Sequence, residues 1–399
     1  MGVYGTGSIY QRSDNGLWVG VVEAGWTEKG KRRRISVAAK TRRLAAQKLR
    51  ALQHEIAKNG IPTEGTSRTI TIKEFATAWL DRRKNNVTPS TYTADSGAIT
   101  RWIIPAIGTV QLARLSPSTI RKVYDAIYNA GRKTATARRT HAVLMLMLKD
   151  ALADGHTIPP AALHTAPPAK GTSQREAIPA ADALAILRAG RERPEFSRWL
   201  AAFYLGLRPA EALGLTWDCV DLEAGVAVIE WQLKTLRYNT PRDPASGFRI
   251  PRDFEARHLT GTWNLVRPKT KAGRRTIPLV GPLAQELALW RTSGPASPYG
   301  LVWPEADGSP GRDKKDRARW RELCESAGAV KENGAPYDLY EARHTTASLL
   351  RAAGVSDDVI TAIMGHSSIM SSAAYIHIDL AQTRAALEKA TTQLRKRVS

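Results

Sequence analysis

Arg208, Arg343, His366 and Tyr375 lie far apart in the chain, yet each has a local setting suited to an anion. Arg208 sits in Tyr204-Leu-Gly-Leu-Arg-Pro-Ala-Glu-Ala-Leu-Gly-Leu-Thr-Trp217, where Gly206 closes one helix and Pro209 opens the next. That puts a guanidinium near a helix N-terminus, an anion-friendly place, with Glu211 one turn on to orient it. The plain alternative is an Arg–Glu pair that only caps the junction. In Tyr337–Leu350, Tyr340 and Arg343 are three apart and share a helical face. Arg343 offers a fork of donors that fits two phosphate oxygens. His344 points elsewhere and reads as a structural histidine. In Ile363-Met-Gly-His-Ser-Ser368, Gly365 fits the position just past a helix, which frees the His366 ring to enter a site. Tyr375 follows nine residues later. Alone it is a packing residue. Beside two guanidinium groups its phenol, with an ordinary pKa of about 10, gains nucleophilic character.

A fifth element is basic. Arg267–Leu279 reads as a hairpin turning at Ala272-Gly273 and carrying Lys269, Lys271, Arg274 and Arg275. A lysine at such a tip can enter a nucleic-acid groove and protonate a leaving oxygen; Lys269 and Lys271 compete for that role, and Lys271, Arg274 and Arg275 are candidate outward DNA contacts.

The chain that must position these groups has 399 residues, with 59 Lys+Arg against 37 Asp+Glu, a net +22. Such charge calls for a polyanionic partner, nucleic acid first and a membrane surface second. A 43% hydrophobic content excludes wholesale disorder. Cys219 and Cys324 cannot make a disulfide framework or a cysteine zinc site, and they fit a reduced, cytoplasmic compartment. Apolar runs are too short to span a bilayer, and the first residues lack a secretory layout. There is no phosphate-binding glycine loop and no carboxylate cluster with metal spacing, so neither cofactor nor metal is expected.

The expected fold class is α+β and multidomain. Residues 1–64 read as three strands and a helix, with Ala45, Leu49, Leu52 and Ile56 on the helix's inner face. Lys31, Arg32, Arg33 and Arg34 form a basic edge there, either solvated or gripping DNA, while Trp18 and Trp26 read as packing residues. Residues 65–160 read as a basic helical bundle. Ile72, Phe75 and Trp79 form one stripe, Ser116-Pro117 starts a helix with Ile120, Val123 and Ile127 on one face, and Arg138 and Arg139, candidate contacts to a duplex backbone, lie near the start of the helix Thr134–Ala153. Residues 161–174, within a Pro-rich stretch starting at 157, read as a semi-extended tether rather than a packed element. Residues 175–399 read as mainly helical with one sheet-like patch, and 234–262 as a long, weakly ordered loop.

The order and spacing of the clusters over residues 175–385 closely resemble the catalytic domain of the tyrosine recombinases, the phage integrase family. The helical segment resembles that family's core-binding domain, and residues 1–64 the arm-binding domain of phage-type integrases. The resemblance implies that Arg208 and Arg343 clamp a scissile phosphate, His366 hydrogen-bonds it, Lys269 (or Lys271) protonates the leaving 5′ oxygen, and Tyr375 attacks. The family usually has His where this chain has Tyr340. A phenol can hydrogen-bond there but is a poor base at neutral pH. The implied product is a 3′-phosphotyrosyl link that another 5′ hydroxyl reseals. Implied partners are double-stranded DNA bearing attachment sites, three further copies of the chain on that DNA, and excisionase or DNA-bending accessory proteins. The C-terminal helix, Leu380–Val398, with Leu387 and Leu394 one heptad apart, either docks on a neighbouring protomer or packs on its own domain. A non-catalytic DNA-binding regulator and a strand-passing topoisomerase are the competing readings. A metal-dependent transposase lacks its third carboxylate.

Overall fold

The computed structural model describes residues 7–26, 32–59, 69–171, 176–365 and 380–396. The chain divides into two compact units, residues 1–172 and 173–399. The fold class is the mixed, multidomain one expected.

The first unit opens with β1 (Ser8–Gln11), β2 (Trp18–Trp26) and β3 (Arg32–Ala39), an antiparallel sheet in that order, followed by α1 (Arg42–Asn59). Val22 packs with Leu49 and Leu52 of α1, as the helical stripe predicted. Gly20 has a reason: a Cβ there would stand 3.0 Å from the Leu49 Cβ, so glycine lets the helix lie close on the strand. Strand alternation divides the basic edge. Ile35 and Val37 pack toward the core with Arg33 on their face, while Arg32 and Arg34 take the other. Lys31 lies outside the described residues. Trp26 is not a packing residue: it is 67% exposed, with the Arg32 guanidinium 5.6 Å from its ring.

The helical part comprises α2 (Ile72–Arg83), α3 (Pro89–Ala98), a π-helical turn, α4 (Ile104–Ile107), α5 (Pro117–Asn129), α6 (Thr134–Ala153) and α7 (Pro160–Leu163). A Thr71–Glu74 capping box starts α2, and Ser116 caps α5 with Pro117 at its first position. Ile72, Phe75, Trp79, Ile120, Val123 and Ile127 share one core. The expected tether is corrected in part. Ile158 and Ala162 are buried in that same core, and Arg138 donates to the Pro168 carbonyl. Pro159-Pro160 suits a helix start as well as an extended chain, which is why composition misled. Arg139 is also committed: it donates to Asp95 at 2.7 Å, and Arg83 reaches the same carboxylate at 2.8 Å.

The second unit contains α8 (Ala180–Gly190), α9 (Phe196–Tyr204), α10 (Pro209–Leu213), β4 (Val220–Asp221), β5 (Val226–Ile229), β6 (Gln232–Thr235), β7 (Ala256–Thr260), β8 (Trp263–Val266), β9 (Arg275–Pro278), α11 (Leu283–Ser293), α12 (Asp313–Ser326), α13 (Leu339–Ala352), α14 (Asp357–Met364) and α15 (Leu380–Lys396). Every residue of α9 is buried. Its Trp199 and Phe203 rings lie 5.7 and 5.8 Å from Trp320 of α12. Leu387 and Leu394 of α15 are buried in this same core, so the helix packs on its own domain.

Two readings of the sheet region are corrected. There are two three-stranded sheets, β4-β5-β9 and β6-β8-β7, not one patch. Residues 267–274 are not the turn of a hairpin, because β8 pairs with β6 and β7 whereas β9 pairs with β5. The stretch 234–262 is likewise no loose loop. It supplies strand residues to β6 and β7, and Tyr238 stacks on Phe248 at 4.9 Å and 14°. Four-residue strands flanked by polar residues carry too little alternation to be seen in sequence. Among the described residues, no helix is long and apolar enough to cross a membrane.

Asp95 is 3% exposed between two arginines. Removing a buried charge partner strands the others, so Asp95→Ala should cost about 3 kcal/mol in urea unfolding. Arg139→Ala, at the exposed end, should cost under about 1 kcal/mol. Equal, small losses would show that this ion triad does not organise the bundle.

Candidate active site

The site is built where α9 ends, α10 begins and α14 stops. Gly206, at φ +55°, turns the chain out of α9 where a Cβ would come within 3.1 Å of the Met364 sulfur. Arg208 then stands at the N-cap of α10 with Pro209 behind it. Its backbone N–H donates to Glu211 Oε2 at 3.0 Å, its Nη1 to Glu211 Oε1 at 2.6 Å, and its Nη2 to the Gly365 carbonyl at 3.0 Å. The Arg208 side chain keeps 28% exposure while Glu211 has none. The Arg–Glu cap and the candidate clamp are therefore the same structure.

Arg343, on α13, is buried. Its Nη1 donates to the Gly206 carbonyl at 2.6 Å and its Nη2 to the Met364 carbonyl. Burial first, then the positive charges of Arg208 and Arg275, push its pKa down to about 10, which still leaves it charged at neutral pH. The Glu211 carboxylate acts in the opposite sense. Tyr340 is half-buried on the first turn of α13, its N–H on Asp338 Oδ1 at 2.8 Å and its ring edge-on to His344 at 5.3 Å.

Arg275 corrects the sequence reading. Expected as an outward DNA contact, its side chain is 7% exposed. Nη2 donates to Glu211 Oε2 at 3.0 Å, Nε to the Ile363 carbonyl at 2.7 Å, and Nη1 to the Gly273 carbonyl at 3.0 Å. Alternation along β9 is the reason: Arg275 shares a face with buried Ile277 while Thr276 between them is exposed, and Arg274, just before the strand, is 60% exposed and paired with Glu230. Lys269 is exposed on the connection between β8 and β9, and Lys271 lies in a short 3₁₀ turn there. That connection reaches the site, since a Cβ on Gly365 would stand 2.9 Å from the Ala272 carbonyl. Gly365 itself has φ +63°, as expected of a residue ending a helix. His366 and Tyr375 lie outside the described residues.

Three guanidinium groups and one carboxylate thus meet at the end of α14. Three positive charges less one negative leave +2, a local excess that favours an anion. Burial works to raise the Glu211 pKa, but Arg275 and Arg208 outweigh it and hold the carboxyl below its usual range. Among the described residues, no group of three or more His, Cys, Asp or Glu could hold a metal ion.

Comparison with known proteins agrees with this architecture. Residues 71–128 match the phage integrase N-terminal SAM-like domain, and residues 253–382 match the phage integrase family. A Saccharopolyspora erythraea protein named "Integrase" is 24% identical over 94% of this chain and 93% of its own length. The fold is shared with Tn1549 transposon integrase in complex with transposon right end DNA: TM-score 0.61, 17% identity, 82% of this chain and 100% of that one. It is also shared with a lambda integrase tetramer bound to a Holliday junction: TM-score 0.53, 16% identity, 92% and 97%. The tyrosine recombinase resemblance read from the residues is borne out over these two matched stretches.

A carboxyl whose folded pKa lies below its unfolded one stabilises fully above the unfolded value, near pH 4.5, and loses that contribution as pH falls through the folded value. Glu211→Gln should therefore be less stable than the parent at pH 7, by about 2–4 kcal/mol. The two unfolding curves should converge as pH drops below the ordinary carboxylate range. A gap independent of pH would contradict the charge assignment.

Proposed function

We propose that this chain is a site-specific DNA recombinase that integrates or excises a mobile element through a 3′-phosphotyrosyl intermediate. One observation carries the reading. Arg208 and Arg343 converge on the carbonyls of Met364 and Gly365, immediately before His366 in the chain, with an unbalanced positive charge. The family match and the DNA complexes formed by proteins of the same fold support it.

In this reading Tyr375, its phenolate favoured by the nearby guanidinium groups and its proton released to water, attacks phosphorus while the bond to the 5′ oxygen breaks. Charge grows on the non-bridging oxygens, and fixed guanidinium donors with His366 stabilise it without reorganising. Lys269 gives the leaving oxygen its proton, with Lys271 as its rival. Tyr340 takes the place of the family's usual histidine and contributes a hydrogen bond rather than a base. The ester energy stays in the phosphotyrosine, so a 5′ hydroxyl from a second duplex reseals the strand. Two duplexes exchanging both strands require four active sites, hence a tetramer on DNA, as the lambda integrase complex has. Accessory bending or excisionase proteins acting through residues 1–64 belong to the same proposal.

The test uses a nicked DNA substrate that traps cleaved ends. The parent chain should form a covalent adduct, Tyr375→Phe should form none, and Arg208→Ala and Arg343→Ala should each lose about 10²–10³-fold in rate. An adduct that survives Tyr375→Phe removes the proposed nucleophile. Tyr340→His should cleave at least as fast as the parent, and complete loss would refute the assigned role. Recombination between two defined sites, rather than general relaxation of supercoils, separates a recombinase from a topoisomerase.

A further inference from the structure

The last two carbonyls of α14 and that of Gly365, which caps it, are each held by a different arginine. Ile363 accepts from Arg275, Met364 from Arg343 and Gly365 from Arg208. A helix C-terminus carries orphan carbonyls and partial negative charge, so cations gather there readily. Here they do so from three separate elements, β9, α13 and the N-cap of α10. Arg275 differs from the other two. It is nearly enclosed, and it donates to the Ile363 and Gly273 carbonyls and to Glu211 Oε2. Glu211 in turn holds Arg208 through both the backbone N–H and Nη1.

We infer that Arg275 is a positioning residue, which fixes the Glu211 carboxylate behind Arg208 and anchors the end of α14, so that Arg208 and the chain leaving Gly365 face the substrate phosphate in one geometry. The inference rests on the recombinase reading for its substrate. Its physical basis is connectivity. A planar guanidinium can donate in three directions at once, to the two backbone carbonyls and to the carboxylate. A lysine ammonium at the end of a flexible stem cannot reproduce that fork. Without Arg275, one Glu211 oxygen loses its charged partner and the carboxyl remains buried. Its pKa then rises, because burial is no longer outweighed by two arginines. Protonated Glu211 no longer holds Arg208 as a salt bridge.

The experiment compares the full-length parent, Arg275→Gln and Arg275→Lys. It measures DNA affinity, single-turnover adduct formation on the nicked substrate, and the pH dependence of that rate. Arg275→Gln should bind DNA within about twofold of the parent. It should form adduct about 10–100-fold more slowly, as expected when a reacting group is displaced by a fraction of a bond length or more. Its rate should also fall with decreasing pH over a range where the parent's does not. Arg275→Lys keeps the charge, so it should be slowed but without the new acid limb. If Arg275→Gln does not fold, Arg275→Lys decides: slowed cleavage at unchanged affinity supports the inference, and parental rate overturns it. Parental rate and pH profile in Arg275→Gln also overturn it. Matching losses of affinity and rate would make Arg275 a DNA ligand instead. A parent chain that forms no adduct would fail the recombinase reading, a result distinct from all of these.

Discussion

Everything at this site depends on a single buried carboxylate. Glu211 has no exposure, yet it sits among three arginines and bonds two of them. A lone buried carboxylate would be costly, and so would a lone buried guanidinium. Together they form a network in which burial, charge and hydrogen bonding are mutually necessary. Arg208 keeps a partly open side chain because Glu211 supports it from behind. Arg343 can be buried because backbone carbonyls of the turn at Gly206 and the end of α14 take its protons. The partly open side of the site therefore inherits its order from enclosed groups behind it.

The fold supplies those groups from distant stretches of sequence. α9 is wholly enclosed and ends at Gly206. α13 enters with an Asp338–Glu341 capping box, which fixes the rotation of the helix and with it the direction of Arg343. β9 contributes Arg275 because it pairs with β5 in a register that sets Ile229 opposite Arg275. A shift of one residue along that pairing would turn Arg274 inward in its place.

Much of this was legible in the residues. Capping signals, the apolar stripes of α1, α2 and α5, and the Gly206–Pro209 junction all act locally, so their spacing reveals them. Arg208 stood out at a helix junction with Glu211 one turn on, and Arg343 as a fork of donors sharing a helical face with Tyr340. Arg275 did not, because a run of basic residues reads as a solvated surface until strand pairing decides which member faces inward. The three acceptor carbonyls at the end of α14 left no trace either, since backbone groups are the same in every residue; only Gly365 marked the place. The short strands β6, β7 and β8 escaped because tertiary pairing, not their own alternation, makes them strands.

The pairing of Ile229 with Arg275 has a kinetic side. Residues 230–274 must be closed into a loop before these two strands can meet, and long flexible loops lose entropy on closing. The intervening chain closes on itself through the β6–β8 and β8–β7 pairings, and its Leu233 and Leu265 pack with Leu213 and Leu301 from outside it. A subdomain that collapses first brings its two ends together and shortens the search for the remaining contact. Arg275 is thus attached to the far end of an excursion whose strands pair with one another, and its delivery to the site depends on that excursion closing.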